Sequence, residues 1–133
     1  NSNNVLYIGE PIAAHANKKL FMNELGYDEY TAFDYFMGNR HKIASSIGKI
    51  IIRPHPSQKA SDYEWVYNKY NKNSIIISNE IELVNDLINV DYVVGCESMA
   101  MVIALYVGKD VYSSIPPQGR KCVLPQSDIK FFY

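Results

Sequence analysis

The sequence predicts an α/β fold, a doubly wound three-layer sandwich around a mostly parallel five-stranded sheet. Apolar runs of strand length alternate with segments of helical periodicity, which is typical of βαβ units. The runs are apolar throughout rather than at every second residue, which indicates strands buried on both faces of a parallel sheet. With 133 residues, 47% of them apolar and 20% charged, the chain suits one Rossmann-like domain, 1–133, that needs no disulfides.

Five segments have the composition of strands, and each ends in small, polar or turn-forming residues. They are NVLYIG (4–9), KIIIRP (49–54), SIIIS (74–78), DYVVG (91–95) and DVYSS (110–114). Crossovers between parallel strands are right-handed, and ligands of doubly wound folds bind beyond the carboxyl ends of the strands. The loops that follow the strands are therefore the places to look for a site.

Two helical segments separate the first and second strands. Residues 13–25 precede Gly26, and residues 28–47 precede Gly48, and glycine commonly terminates helices. The second segment carries apolar residues at helical spacing, which we expect to lie in the core: Tyr30, Phe33, Phe36 and Met37.

Two further helices are predicted from cap residues and apolar spacing. Residues 61–71 begin at Ser61 with Glu64 three residues later, the pattern of a capping box. Residues 79–90 begin at Asn79, a preferred cap residue. The apolar residues of these two helices are Trp65, Val66 and Tyr70 in the first, and Ile81, Val84, Leu87 and Ile88 in the second.

The last predicted helix, 98–109, begins at Ser98 and stops at Gly108. Its sequence, SMAMVIALYVGK, is apolar nearly all round. A helix with this pattern is normally buried on all sides, so we expect it to lie in the core.

Composition excludes several classes of protein. The formal net charge is −1, whereas nucleic-acid-binding proteins usually carry an excess of basic residues. No apolar run reaches the ~20 residues that a membrane-spanning helix requires. Cys96 and Cys122 lack metal or redox spacing, which favours a reducing cytoplasm. Three scattered histidines, His15, His41 and His55, predict no metal site.

The first two strands are followed by candidate binding loops. Gly9 permits close approach to a ligand, and Glu10 follows it, although neither a dinucleotide fingerprint nor a P-loop is present. In RPHPSQ (53–58), flanking prolines restrict His55, whose ring can donate to a phosphate. Pro56 belongs to the same turn, and Arg53 either points to that site or braces the adjacent loop.

The loop after the fourth strand, VVGCESMAM, is the most informative. Ser98 opens a helix, and the free amides of a first turn form an anion site without net basic charge. A carboxylate repels phosphate, so Glu97 fits ribose hydroxyls better. Weaker candidates complete the predicted substrate-binding set: Gly95, Met99, Ser78 after the third strand and Ser114 after the fifth. Each also fits a plain structural role, such as a helix cap or a rigid turn.

RPHPS followed by DYVVGCESMAMVIALYVGKDVYSSIPP resembles the C-terminal half of GT-B glycosyltransferases of bacterial surface polysaccharide synthesis, which include sialyltransferase-like and teichoic-acid-polymerase-like enzymes. In that family an H-P motif and a later serine hold the phosphate of a nucleotide donor. His55 and Pro56 match the H-P motif and Ser98 matches the serine. The chain departs from the pattern where CES replaces two adjacent small hydroxyl residues.

The resemblance implies a CMP- or UDP-activated sugar or a CDP-activated polyol as donor, with His55 stabilising the departing phosphate and neither metal nor cofactor required. The opening residues, NSNN, predict a linker. We therefore expect a piece of a longer two-domain protein, whose N-terminal domain binds the acceptor, and no turnover by this piece alone. The full enzyme would be cytoplasmic, peripheral to the inner membrane, and would not bind nucleic acid.

Two alternatives stay open on the sequence. A nucleotide-sugar epimerase or hydrolase shares this architecture but needs more carboxylates than Glu10 and Glu97. A non-catalytic binding or regulatory module, receiver-like domains included, needs no chemistry at all, although a receiver would require clustered aspartates where the sequence has YIGEP.

Overall fold

The computed structural model of the protein describes residues 3–12 and 26–133. The described helices and strands, numbered in chain order, are β1 (Val5–Ile8), α1 (Glu29–Asn39), β2 (Ile50–Arg53), α2 (Glu64–Lys69), β3 (Ile75–Ile77), α3 (Leu83–Leu87), β4 (Tyr92–Gly95), α4 (Met99–Tyr106), β5 (Asp110–Ser113) and β6 (Lys130–Phe131). Short 3₁₀ turns lie at Arg40–Lys42, Ala60–Tyr63 and Lys72–Ser74. The predicted helix 13–25 lies outside the described residues.

The strands form one parallel sheet in the order β3-β2-β1-β4-β5-β6. Tyr7 in β1 is in register with Ile52 on one side and with Val94 on the other. This order is that of doubly wound dinucleotide-binding folds, in which the connections reverse direction between β1 and β4. The predicted α/β class and parallel sheet are confirmed.

Helices cover both faces of the sheet, which gives three layers. On one face, α1 and α2 pack on side chains of β1, β2 and β3 through Phe33, Phe36, Met37 and Val66. On the opposite face, α3 and α4 pack on β1, β4 and β5 through Leu87, Met101 and Ala104. Alternate residues of each strand point to opposite faces, and both sides of β1 are buried, as its continuous apolar run predicted. One side of β2 is only half-buried, because Ile51 and Arg53 on that side are partly exposed.

The prediction of five strands is wrong by one. β6 pairs with β5 through Tyr112↔Lys130 and Ser113↔Phe131, and Phe132 then stacks on Tyr112 with ring centroids 5.2 Å apart. The strand has two residues and no periodicity of its own. It forms because β5 offers an open edge and because the Phe132 ring is buried against the sheet.

Three helix boundaries differ from prediction. Asp28 caps α1, but the helix ends at Asn39 rather than 47, because 38–42 contains no apolar residue to bury. The Lys59 amide donates to the Asp62 carboxylate at 2.8 Å, so a 3₁₀ turn, not Ser61, precedes α2. α3 begins after Glu82, whose side chain makes no capping hydrogen bond, rather than after Asn79.

Burial of the last two helices is also less than predicted. In the 79–90 segment only Leu87 of the four predicted apolar-face residues is buried. α4 begins after Ser98, and Gly108 follows with a φ of +86°, both as predicted. Its outer side is nevertheless exposed, with Met99, Ile103 and Tyr106 open to solvent. No further layer of the described chain covers this side.

Candidate functional site

The candidate site lies at the carboxyl edge of the sheet, between β1 and β4. The loop after β1 contains Gly9 and Glu10, and the loop after β4 contains Cys96, Glu97 and Ser98. Because β1 and β4 are neighbours in the sheet, these two loops meet at the point where the strand order reverses.

Glu10 binds directly to the loop after β4. Its Oε2 accepts hydrogen bonds from the Cys96 amide at 3.2 Å and the Glu97 amide at 2.9 Å. The predicted anion site, the amides of the first helical turn, begins after Ser98, whereas these two amides lie before it. In the structure a carboxylate of the chain itself occupies them, an arrangement that no sequence pattern indicated.

Burial raises the pKa of Glu10 above its ordinary value of 4.5, and the neighbouring Glu97 charge raises it further. Hydrogen bonds from the amides of Glu97, Cys96 and Ser98 act in the opposite direction, because they favour the charged form, but burial has the larger effect. The protonated form of Glu10 is therefore favoured more in the folded chain than in the unfolded chain.

This shift predicts a pH dependence of stability. Folding takes up a proton at Glu10, so its stabilising contribution is full below the unfolded pKa and is lost as pH rises through the folded pKa. We expect Glu10→Gln to remove this loss, which chemical denaturation of both proteins between acidic and neutral pH would measure. Glu64→Gln, at an exposed position on α2, is the control and should keep the wild-type profile. A Glu10→Gln profile identical to wild type would contradict the prediction.

Ser98 caps α4, since its Oγ accepts a hydrogen bond from the Ala100 amide at 3.1 Å. The neighbouring Met99 side chain is exposed. Glu97 is different, because its Oε2 lies 3.4 Å from Nη2 of Arg120 whereas its Oε1 is buried and has no hydrogen-bond partner within residues 3–12 and 26–133. An acceptor without a partner at this edge is suited to a hydroxyl donor.

His55 is held in a tight turn after β2. The Gln58 amide donates to the His55 carbonyl at 2.7 Å, and the Gln58 side chain accepts from the His55 amide at 2.9 Å. Pro56 is the exposed second residue of this turn. The Ser57 amide donates to Nδ1 of His55 at 3.0 Å, so the proton of the neutral ring lies on Nε2. The exposed ring therefore presents an N–H donor at the edge of the sheet.

The two glycines of the site are required by contacts within the protein. A Cβ on Gly9 would overlap Oη of Tyr63 and would stand 2.8 Å from Oε1 of Gln58, the atom that holds the His55 turn. The loop after β2 therefore packs directly on the end of β1. A Cβ on Gly95 would stand 3.0 Å from Sδ of Met101, so this glycine permits the close packing of α4.

Arg53 and Ser78 belong to a separate buried cluster around Asp86. Arg53 donates to the Asp86 carboxylate at 2.9 Å and to the carbonyls of Glu80 and Ile81, while Ser78 donates to both Asp86 oxygens. Of the two roles open to Arg53 on the sequence, the structure shows that it braces the adjacent loop. These contacts hold 78–81 outside the helix, which moves the start of α3 away from Asn79.

Ser114 is fully buried beneath the site. Its hydroxyl lies 3.3 Å from Oη of Tyr7 and 3.7 Å from Sγ of Cys96, and Ser113 donates to the Cys96 carbonyl at 2.8 Å. Both serines thus fix the loop after β4 from below rather than facing a ligand.

Sequence reasoning missed three residues that shape this edge: Tyr27, Asp86 and Arg120. Tyr27 packs in a small apolar cluster with Cys96 and Ile115, and burial raises its pKa. Arg120 reaches Glu97 from the loop-rich segment between β5 and β6. No local sequence pattern identifies the partners of these three residues, because their main contacts join positions that are far apart in the sequence.

No protein-family model matches the chain, and no curated protein is found to be similar to it. Within the described ranges no three metal-ligating side chains come together. None of the helices described is both long enough and apolar enough to cross a membrane.

Proposed function

We propose that this edge binds the nucleotide part of an activated sugar donor, and that the chain is the donor-binding part of a glycosyltransferase of polysaccharide synthesis. The observation that carries the proposal is the His55 turn. A histidine clamped through Nδ1 and through its own amide presents Nε2–H outward from a loop that packs on the reversal point of the sheet. A rigid donor at this position suits a phosphate oxygen.

Two features support a nucleotide rather than another anion, and a third indicates which group meets its phosphate. The strand order is the one in which nucleotides bind at the reversal point. The unpartnered Oε1 of Glu97 can accept a ribose hydroxyl. Glu10 already occupies the amides before α4, so the phosphate is met by His55 rather than by those amides.

In this proposal His55 acts by electrostatics. An N–H donor fixed before the ligand arrives stabilises negative charge that grows on the departing phosphate, without reorganisation during the reaction. The acceptor and the base that activates it would come from a second domain. Donors of the CMP-sugar, UDP-sugar and CDP-polyol classes fit this proposal, in capsule, lipopolysaccharide or cell-wall polymer synthesis. Such an enzyme would be cytoplasmic, and its association with the inner membrane would be peripheral.

The test is calorimetric titration of the chain with CMP, CDP, UMP and UDP. We expect one base to bind, and His55→Ala to weaken that binding by ~1–3 kcal/mol because it removes a hydrogen bond to a charged group. His41→Ala is the matched control, since His41 is an exposed histidine in the 3₁₀ turn at Arg40–Lys42. The control should bind as wild type does.

Two outcomes would contradict the proposal. Absence of binding by all four nucleotides would argue against a donor site, and equal binding by wild type and His55→Ala would argue against the role of the histidine. Thermal unfolding of each variant checks that the substitution has left the fold intact.

A nucleotide-sugar hydrolase or epimerase is the second candidate, and the Glu10–Glu97 pair favours it. A carboxyl group with a raised pKa beside a second carboxylate is an arrangement used for acid–base chemistry. If this candidate is right, the chain should release the nucleotide from an activated sugar, and Glu10→Gln should abolish release while leaving nucleotide binding intact. The glycosyltransferase proposal expects no release.

A further inference from the structure

The face of the sheet that carries α3 and α4 exposes apolar side chains along both helices. On and beside α3, Ile81 is 87% exposed, Ile88 is 70% exposed and Val84 is also open to solvent. Both helices pack on the same buried cluster, through Leu87 and Met101 among others, so their outer sides belong to one face. We call this the α3–α4 face.

On α4 the exposed residues form a stripe. Met99, Ile103, Tyr106 and Val107 recur at intervals of four, three and one, which places them on one side of a helix. Residues 98–108 contain no charged side chain. A stripe of this kind, with no charge to keep it hydrated, is typical of helices that pack against another helix.

The apolar residues of this face expose an area comparable with that of a protein interface. The seven residues together expose on the order of 1,000 Å² to solvent, with their backbone and polar atoms included. A stable interface buries about 800 Å² on each partner. The α3–α4 face alone thus has the area that a dimer needs.

Charged residues at the two ends of the face are complementary. Glu80 and Glu82, both exposed, lie before α3 at the carboxyl edge of the sheet. Lys49 and Lys109 lie at the amino edge, where they line a cavity of about 530 Å³ together with Ile88 and one acidic residue, Asp91, so that this end carries one excess positive charge. A second copy turned by 180° across the face would set the acidic end of each chain opposite the basic end of the other.

We propose that the α3–α4 face is the interface of a homodimer, in which a second copy of this chain packs antiparallel through α4 about a two-fold axis. The arrangement is isologous, so each contact occurs twice and the assembly closes at two chains. The uncharged stripe at the axis brings no like charges together. An anionic membrane is disfavoured as the occupant, because Glu80 and Glu82 would face its surface.

Sedimentation equilibrium over a range of micromolar concentrations tests the proposal. We expect the wild-type chain to have the mass of two copies, and Ile103→Glu to weaken the association at least about tenfold, since it places a charge in the apolar contact. Tyr30→Glu is the matched control, because Tyr30 is exposed to the same extent, 47%, on α1 at the opposite face of the sheet. This control should remain dimeric.

Charge reversal tests the antiparallel orientation. Glu82→Lys and Lys49→Glu should each weaken association, and the double variant should restore it, if Glu82 of one copy lies near the basic end of the other. Far-UV circular dichroism shows whether each variant retains its helices. A wild-type chain that stays monomeric throughout, or an Ile103→Glu variant that dimerises as wild type does, would overturn the proposal. Binding of the monomer to anionic vesicles would assign the face to a membrane instead.

Discussion

Phe33→Ala is expected to lower the free energy of unfolding by about 3–5 kcal/mol. The Phe33 ring is completely buried at the centre of the core under α1. It makes edge-on contacts with Tyr7, at 4.9 Å between ring centroids, and with Trp65, at 5.8 Å. Its loss removes buried apolar area and leaves a cavity that the surrounding aromatic rings cannot close. Urea denaturation followed by tryptophan fluorescence measures the change, since Trp65 is the only tryptophan.

Tyr30→Ala provides the comparison for this prediction. Tyr30 lies on the same helix and its ring is 5.2 Å from that of Trp65, but its side chain is half exposed. We expect it to cost about 1 kcal/mol. If both substitutions cost the same, the core does not lie where the structure places it, between α1 and the sheet.

Arg53→Met is expected to destabilise the fold by about 3–5 kcal/mol, because it leaves Asp86 buried without its charged partner. The Asp86 side chain is only 5% exposed and that of Arg53 only 19%. The same arginine also holds the carbonyls of Glu80 and Ile81, so the start of α3 should loosen as well. Thermal and urea unfolding measure the loss, and amide hydrogen exchange in 78–82 reports the local effect.

Two further variants separate the contribution of charge pairing to stability from that of loop bracing. Arg53→Met/Asp86→Leu removes both partners and should recover much of the lost stability, since no uncompensated charge remains. Arg40→Met removes an exposed arginine and should change stability by no more than about 0.5 kcal/mol. A double variant as unstable as Arg53→Met would show that loop bracing, rather than charge pairing, is the main contribution of this residue.

The sequence alone predicted the fold class because the signals for it are local. Continuous apolar runs such as VLYI are typical of strands that are covered on both faces, so their continuity predicted a parallel sheet. The cap at Asp28 and the stop at Gly108 also depend on nearby residues only. By contrast, β6 has no local signal, since two residues become a strand only when β5 is beside them.

The contacts of the candidate site are likewise of two kinds, some local in sequence and some between distant positions. The clamped turn at His55 and the cap at Ser98 follow from neighbours within three residues, so the sequence indicated where polar groups would stand. The Glu10 carboxylate on the amides of Cys96 and Glu97 joins positions more than eighty residues apart. Only the pairing of β1 with β4 brings them into contact.

What the sequence determined by itself was the set of layers and the edge of the sheet at which polar residues gather, because periodicity and strand ends are properties of short segments. Only the tertiary structure decided the partners of charged groups: Arg53 with Asp86, Glu97 with Arg120 and Glu10 with backbone amides. It also decided that α4, apolar all round, is buried on one side only. The local sequence determines which residues are apolar and favour burial, whereas the packing of distant segments determines which of these residues are covered.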